Sequence, residues 1–183
     1  MRKECPYDPG VMEGSERSLL ERLDGVVREP RARQVLGETA GRLLDRLQRE
    51  ASALMTWEPV PLESYPALPE GIRSSWVFVL RRNTVTGAER HPNSHQRVMS
   101  LRHGADLQTW EDGRWRSNFL ESDPAAPLER RWLSIPVNVW HQPVMGVEDW
   151  TVVSFHTVAP AELIEERPAG KPDEPGTTQR RYL

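Results

Sequence analysis

The chain has 183 residues, with 24 Lys and Arg against 27 Asp and Glu for a formal charge of -3, and lacks the basic stripe that nucleic-acid binding needs. One cysteine excludes an internal disulfide, and no apolar run approaches the length of a membrane span. The opening MRKECPYDPG has no apolar signal-peptide core, so the expectation is a soluble, cytoplasmic, largely single-domain protein.

Residues 1–14 read as a flexible N-terminus, with Pro6, Pro9, Gly10 and Gly14 and the lone Cys5. Residues 15–56 read as two helices. In the first, Leu19, Leu20, Leu23, Val26 and Val27 recur at helical steps, and Ser18 with Glu21 has the capping-box spacing. Pro30 breaks the pattern. In the second, Val35, Leu36, Ala40, Leu43, Leu44, Leu47, Ala51 and Leu54 form one apolar stripe opposite a charged face. Residues 57–73 carry Pro59, Pro61, Pro66 and Pro69 and predict an extended linker along a barrel surface.

From Ser74 the texture is that of strands, and residues 74–166 are expected to form a β-barrel. The run SSWVFVLRR predicts a strand buried on both faces. Asn83 to Glu89 reads as a turn, and Arg97 to Arg102 as a strand ending before Gly104. Asp112-Gly113 between two alternating runs predicts a hairpin. Arg131 to Ile135 reads as a strand continued after a kink by Pro136 to Trp140, and Trp150 to Val158 as the last long strand. Short strands at this spacing point to a sandwich or barrel. Residues 167–183 are polar, rich in Pro and Gly, and predicted to be disordered.

All five histidines lie in the β half. If Glu89 to Gln96 is extended, His91, Asn93 and His95 share one face, which Met99 and Leu101 continue; Pro92 and Asn93 could insert a bulge and change it. His141 ends a short apolar run and shares a face with Val137 and Val139. Neutral imidazoles are good ligands for transition metals, so His91, His95 and His141 are the expected metal set. His156 reads as a hydrogen-bonded core or surface histidine, and His103 as an exposed turn residue.

From about 76 to 158 the chain resembles the cupin superfamily. His91 to Gly104 is similar to the first cupin motif, a histidine pair followed by an apolar strand ending in Gly. Ile135-Pro136-Val137-Asn138-Val139-Trp140-His141 is similar to the second, a Pro, a turn and a metal-binding His. The first motif departs from the family. Three residues separate His91 from His95, and Gln96 and Arg97 stand where an acid is expected. One register pairs His91 with Asn93, another Asn93 with His95. The resemblance implies a jelly-roll barrel around one divalent transition metal, with Fe(II) favoured and Zn, Mn, Ni or Cu as alternatives. A three-histidine site is also similar to that of thiol dioxygenases, and many cupins are homodimers.

The expected function is a metal-dependent cupin enzyme, an oxygenase acting on a small anionic metabolite. Arg97 is expected to orient the anion and Gln96 to support the ligands, as the catalytic pair. Arg81, Trp76, Trp140 and Asn93 are expected to bind substrate, with Arg82 as a further counter-charge and Asn138 and Gln142 as partners of ligand histidines. Two rivals remain open: a cupin that binds a small molecule without catalysis, and an interaction module docking through its N-terminal helices.

Overall fold

The computed structural model describes residues 14–181; Cys5, and segment 1–14 except Gly14, lie outside the described residues. Helix α1 spans Gly14–Arg28 and α2 spans Pro30–Arg49. α1 begins four residues before Ser18, which therefore lies inside the helix rather than capping it. Pro30 takes the first turn of α2, where its missing amide costs nothing. Among the described residues no helix is long and apolar enough to cross a membrane.

Among the described residues eleven strands follow: β1 (Met55–Pro59), β2 (Ser74–Leu80), β3 (Gln96–Arg102), β4 (Gly104–Glu111), β5 (Arg114–Arg116), β6 (Phe119–Glu121), β7 (Trp132–Ile135), β8 (His141–Val144), β9 (Trp150–His156), β10 (Ile164–Pro168) and β11 (Thr177–Arg181), with a one-turn helix α3 (Leu128–Arg131) before β7. One antiparallel sheet has the order β1-β2-β9-β3-β7. The other is centred on β4: Thr109 pairs with Arg116 of β5 on one edge and with His141 of β8 on the other. Bridges Glu89↔His141 and Arg90↔Glu166 lay residues 89–90 beside β8 and carry the sheet on to the β10–β11 hairpin. This is the mainly β fold of antiparallel sheets, preceded by an N-terminal helical segment, that the sequence predicts.

The alternation of the strands separates two cores. Trp76, Phe78, Leu80, Val98, Leu107, Trp150 and Val152 fill the space between the sheets. Val77, Val79, Val153 and Phe155 point the other way and bury the stripes of α1 and α2, including Leu20, Leu23, Leu36, Leu43 and Leu47. β2 and β9 are buried on both faces for this reason. The apolar stripe of α2 is thus consumed within the chain, which removes the ground for reading it as a partner-docking face.

Several local expectations are corrected. The helical segment ends at Arg49 rather than 56, because Met55 and Thr56 with residues 57–59 form β1, and the rest of 57–73 is a strap held by Val60 N–H on the Ser75 carbonyl at 2.8 Å and by Tyr65 Oη against Ser75 Oγ at 2.7 Å. Pro136 to Trp140 does not continue β7; Asn138 adopts a left-handed φ of 64° and turns the chain. The tail is a hairpin through Arg181, because charges pin it: Arg90 to Glu166, and Arg167 and Arg180 to Glu165. The Asp112-Gly113 hairpin forms as expected, with φ of 49° and 76°. Gly104 is required by packing, since a Cβ there would lie 2.5 Å from the Leu120 carbonyl oxygen.

Candidate metal centre

His91 and His141 meet inside the barrel, and Glu89 completes the group: one ligand atom from each lies within 4.8 Å of the others, and all three residues are buried. The backbone explains the convergence. Glu89 and His141 exchange both amide-to-carbonyl bonds, at 2.9 and 2.8 Å, so their side chains leave the sheet together. His91 lies two residues beyond Glu89, on the same side of an extended chain. The Asn138 amide donates to the His91 carbonyl at 3.1 Å and ties the two segments below the site.

The tautomers follow from the partners. His91 Nδ1 lies 2.9 Å from the Ile164 carbonyl and His141 Nδ1 3.1 Å from that of Val139. A carbonyl only accepts, so each Nδ1 carries a proton and each ring turns its Nε2 to the interior. His141 Nε2 is buried and stands 3.5 Å from Glu89 Oε1. Two electron-rich atoms facing each other in a dry interior call for a cation between them, a proton or a metal. Glu89 Oε2 accepts from Arg167 Nη2 at 2.9 Å. Burial pushes the Glu89 carboxyl up, but the hydrogen bond and charge of His141 and the charges of His91 and Arg167 outweigh it and bring it down to about 2. Burial, and then the proximity of His141, push His91 down to about 4, so it is neutral near pH 7.

The donor set of two imidazoles and one carboxylate fits a divalent transition metal, as in non-haem iron and catalytic zinc sites. A narrow cavity reaches Glu89 and His141; its walls are Phe78, Leu80, Val98, Leu107, Trp150 and Val152, with Thr86 and Gln96 as further polar groups. Gln96 donates from Nε2 to Ser154 Oγ at 3.1 Å, and its Oε1 is buried without a hydrogen bond.

The other expected site residues lie elsewhere. His95 is not part of the cluster. The turn at Pro92–Ser94 breaks the alternation, and in β3 it is Gln96 and Val98 that face the cavity, while Arg97, Met99 and Leu101 face the helices. His95 Nε2 bonds Ser134 Oγ at 2.7 Å, and Arg97 forks onto Glu16 of α1 at 2.8 and 3.0 Å. Arg81 donates to the carbonyls of Leu47, Glu50 and Ala53, closing the end of α2. Asn93 holds the loop to Glu162 and Ile164. Trp76 is a core residue, and Trp140 lies under the Arg90 guanidinium at 4.5 Å. Arg82 meets Asp149 through its amide, and Gln142 bonds Gln108. His156 is a buried core histidine between Ser94 and Ser154, edge-on to His91 at 5.1 Å; His103 is exposed with φ of 61°. Glu89 is the residue the sequence reading missed. Its two-residue spacing to His91 was the available signal, hidden by assigning 83–89 to a turn.

Burial, and then the Arg97 charge, lower His95 to about 4 against an ordinary 6.5, while Glu16 acts the other way. Between those values the unfolded chain binds a proton that the folded chain refuses. His95 therefore removes stability as pH falls from about 6.5 to about 4. His95→Gln, which can still donate to Ser134, is expected to make the fall in the urea midpoint over this window shallower; an unchanged slope contradicts it.

No family model and no curated relative matches the chain. Solved structures that resemble it include pumpkin pro-11S globulin, 19% identical over 64% of this chain with TM-score 0.48. Procruciferin, the 11S globulin of Brassica napus, is 17% identical over 66% with TM-score 0.49. The oxalate decarboxylase of Lactobacillus farciminis, solved as a formate complex, is 11% identical over 57% with TM-score 0.44. The chain spans only 29% of the length of each of these proteins.

Proposed function

We propose that the protein is a metal-dependent cupin enzyme in which Glu89, His91 and His141 hold one divalent transition metal, Fe(II) by preference, and that it is an oxygenase acting on a small anionic metabolite. The observation that carries this reading is the convergence of two buried imidazoles, each fixed by a carbonyl at its Nδ1, with a buried carboxylate. When bound, the metal supplies a Lewis-acidic centre with positions open to dioxygen and a chelating substrate.

The remaining work belongs to the chain. Glu89 contributes one negative charge and the histidines none, so a divalent ion keeps a net positive charge that attracts an anion. The apolar wall around Phe78, Leu80 and Trp150 excludes water and strengthens that attraction. The Gln96 amide, held by Ser154, and the Thr86 hydroxyl are the polar groups that orient a substrate in the cavity. The presence of Glu89 supports a two-histidine, one-carboxylate centre over a three-histidine one.

A second reading rests on the 3.5 Å approach of His141 to Glu89: a proton instead of a metal joins them, and the barrel binds a small molecule without catalysis. Anaerobic titration of the chelator-treated protein with Fe(II), followed by elemental analysis, separates the two. The metal reading expects about one equivalent bound; uptake below about a tenth of an equivalent of Fe, Zn, Mn, Ni and Cu alike leaves only the second.

A further inference from the structure

We propose that a groove beside the buried cavity is the outer half of the same ligand site, and that Arg180 receives there the carboxylate of a small ligand with an apolar or aromatic body. The proposal rests on the reading of the inner end as a metal centre only for which end of the ligand reacts. The groove is lined by Leu54, Met55, Trp57, Thr86, Arg167 and Arg180, and Met55 and Thr86 also line the cavity that reaches Glu89 and His141. The two spaces therefore share a wall. Alternation along β1 sends Met55 and Trp57 to the barrel side, while Thr56 bonds the Leu43 carbonyl and Glu58 pairs with Arg42 on the helix side.

The two arginines differ in what they have left to give. Arg167 spends Nε on Glu165, Nη1 on the Thr86 carbonyl and Nη2 on Glu89. It is a positioning residue that joins the groove to the centre. Arg180 spends Nε on Glu165 at 2.7 Å and is 49% exposed; among the described residues its two terminal nitrogens have no side-chain partner. Arg167 is matched by Glu89 and shares Glu165 with Arg180, so the guanidinium end that meets no carboxylate in the groove is that of Arg180. One unspent fork of parallel donors matches a carboxylate, whereas a phosphate monoester asks for more donors than remain. Trp57 and the half-exposed Leu54 supply an apolar floor for the body of the ligand.

Calorimetric titration of the metal-free full chain with 3-phenylpropionate, 3-phenylpropionamide and phenyl phosphate tests this. The carboxylate is expected to bind about tenfold more tightly than the neutral amide. Arg180→Gln is expected to abolish that difference and leave amide binding unchanged, while Arg114→Gln, at the exposed start of β5, changes nothing. Equal binding of acid and amide, an Arg180→Gln protein that keeps the preference, tighter binding of phenyl phosphate, or no binding of any compound up to about 10 mM each overturns the proposal. Fe(II) affinity is measured separately on both proteins and is expected to be the same. A wild-type protein that takes up no metal sinks the metal centre and leaves the groove result standing.

Discussion

His91→Ala and His141→Ala are each expected to weaken Fe(II) or Zn(II) binding by more than about a hundredfold, beyond the range seen when only a residue behind a ligand is removed, whereas His95→Ala leaves it unchanged. The expectation follows from where the nitrogens point. His91 and His141 are anchored by carbonyls at Nδ1, so deleting either ring removes an oriented lone pair that no neighbour can replace. His95 faces Ser134 and Arg97, on the helix side of the first sheet. Glu89→Gln should fall between these limits, because an amide oxygen still ligates but no longer brings a charge to offset the ion. Competition titration against a chromogenic chelator at fixed pH reads all four variants. A His95→Ala protein with the larger loss would show that the loop at Pro92–Ser94 is arranged differently from the structure and that three histidines form the site after all.

The second large effect concerns stability. Glu16 of α1 accepts both donors of Arg97, at 2.8 and 3.0 Å, and the Ser134 hydroxyl. The Arg97 side chain is only 7% exposed and that of Glu16 21%. Burial raises the Glu16 carboxyl, but the hydrogen bonds from Arg97 and Ser134 outweigh it and hold it below the usual range. Glu16→Ala leaves a buried guanidinium without its counter-ion, and is expected to cost about 3 kcal/mol, the lower end of the range because Glu16 is partly solvated. For a domain of this size that is a fall in Tm of about 6–12 °C. The double variant Glu16→Leu with Arg97→Leu should recover most of the loss, since no charge is then stranded. A fall equivalent to less than about 1 kcal/mol in Glu16→Ala would mean that the pair is solvent-screened and that α1 is held by its apolar face alone. Metal affinity should be unchanged, as Glu16 lies across the sheet from the cavity.

What could be read from residues in order was whatever depends on neighbours in order. The stripes of α1 and of α2 as far as Leu47, the doubly buried runs of β2 and β9 and the left-handed Asp112-Gly113 turn are local patterns of spacing and backbone preference, and they formed as expected; Ala51 and Leu54 fall beyond the end of α2. His91 and His141 could be singled out because each sits beside an apolar strand. The parts that could not be read depend on pairing across the chain. Glu89 becomes a candidate ligand because it is registered opposite His141, fifty-two positions away by their numbers. Arg97 and His95 turn to the helices because Pro92 to Ser94 interrupt the alternation that would have carried them inward. The polar tail folds back because Glu165 and Glu166, buried by the rest of the barrel, need counter-charges that Arg167, Arg180 and Arg90 supply. Alternation and turn chemistry act over a few residues, and only strand register and the burial of charge decide which distant groups meet.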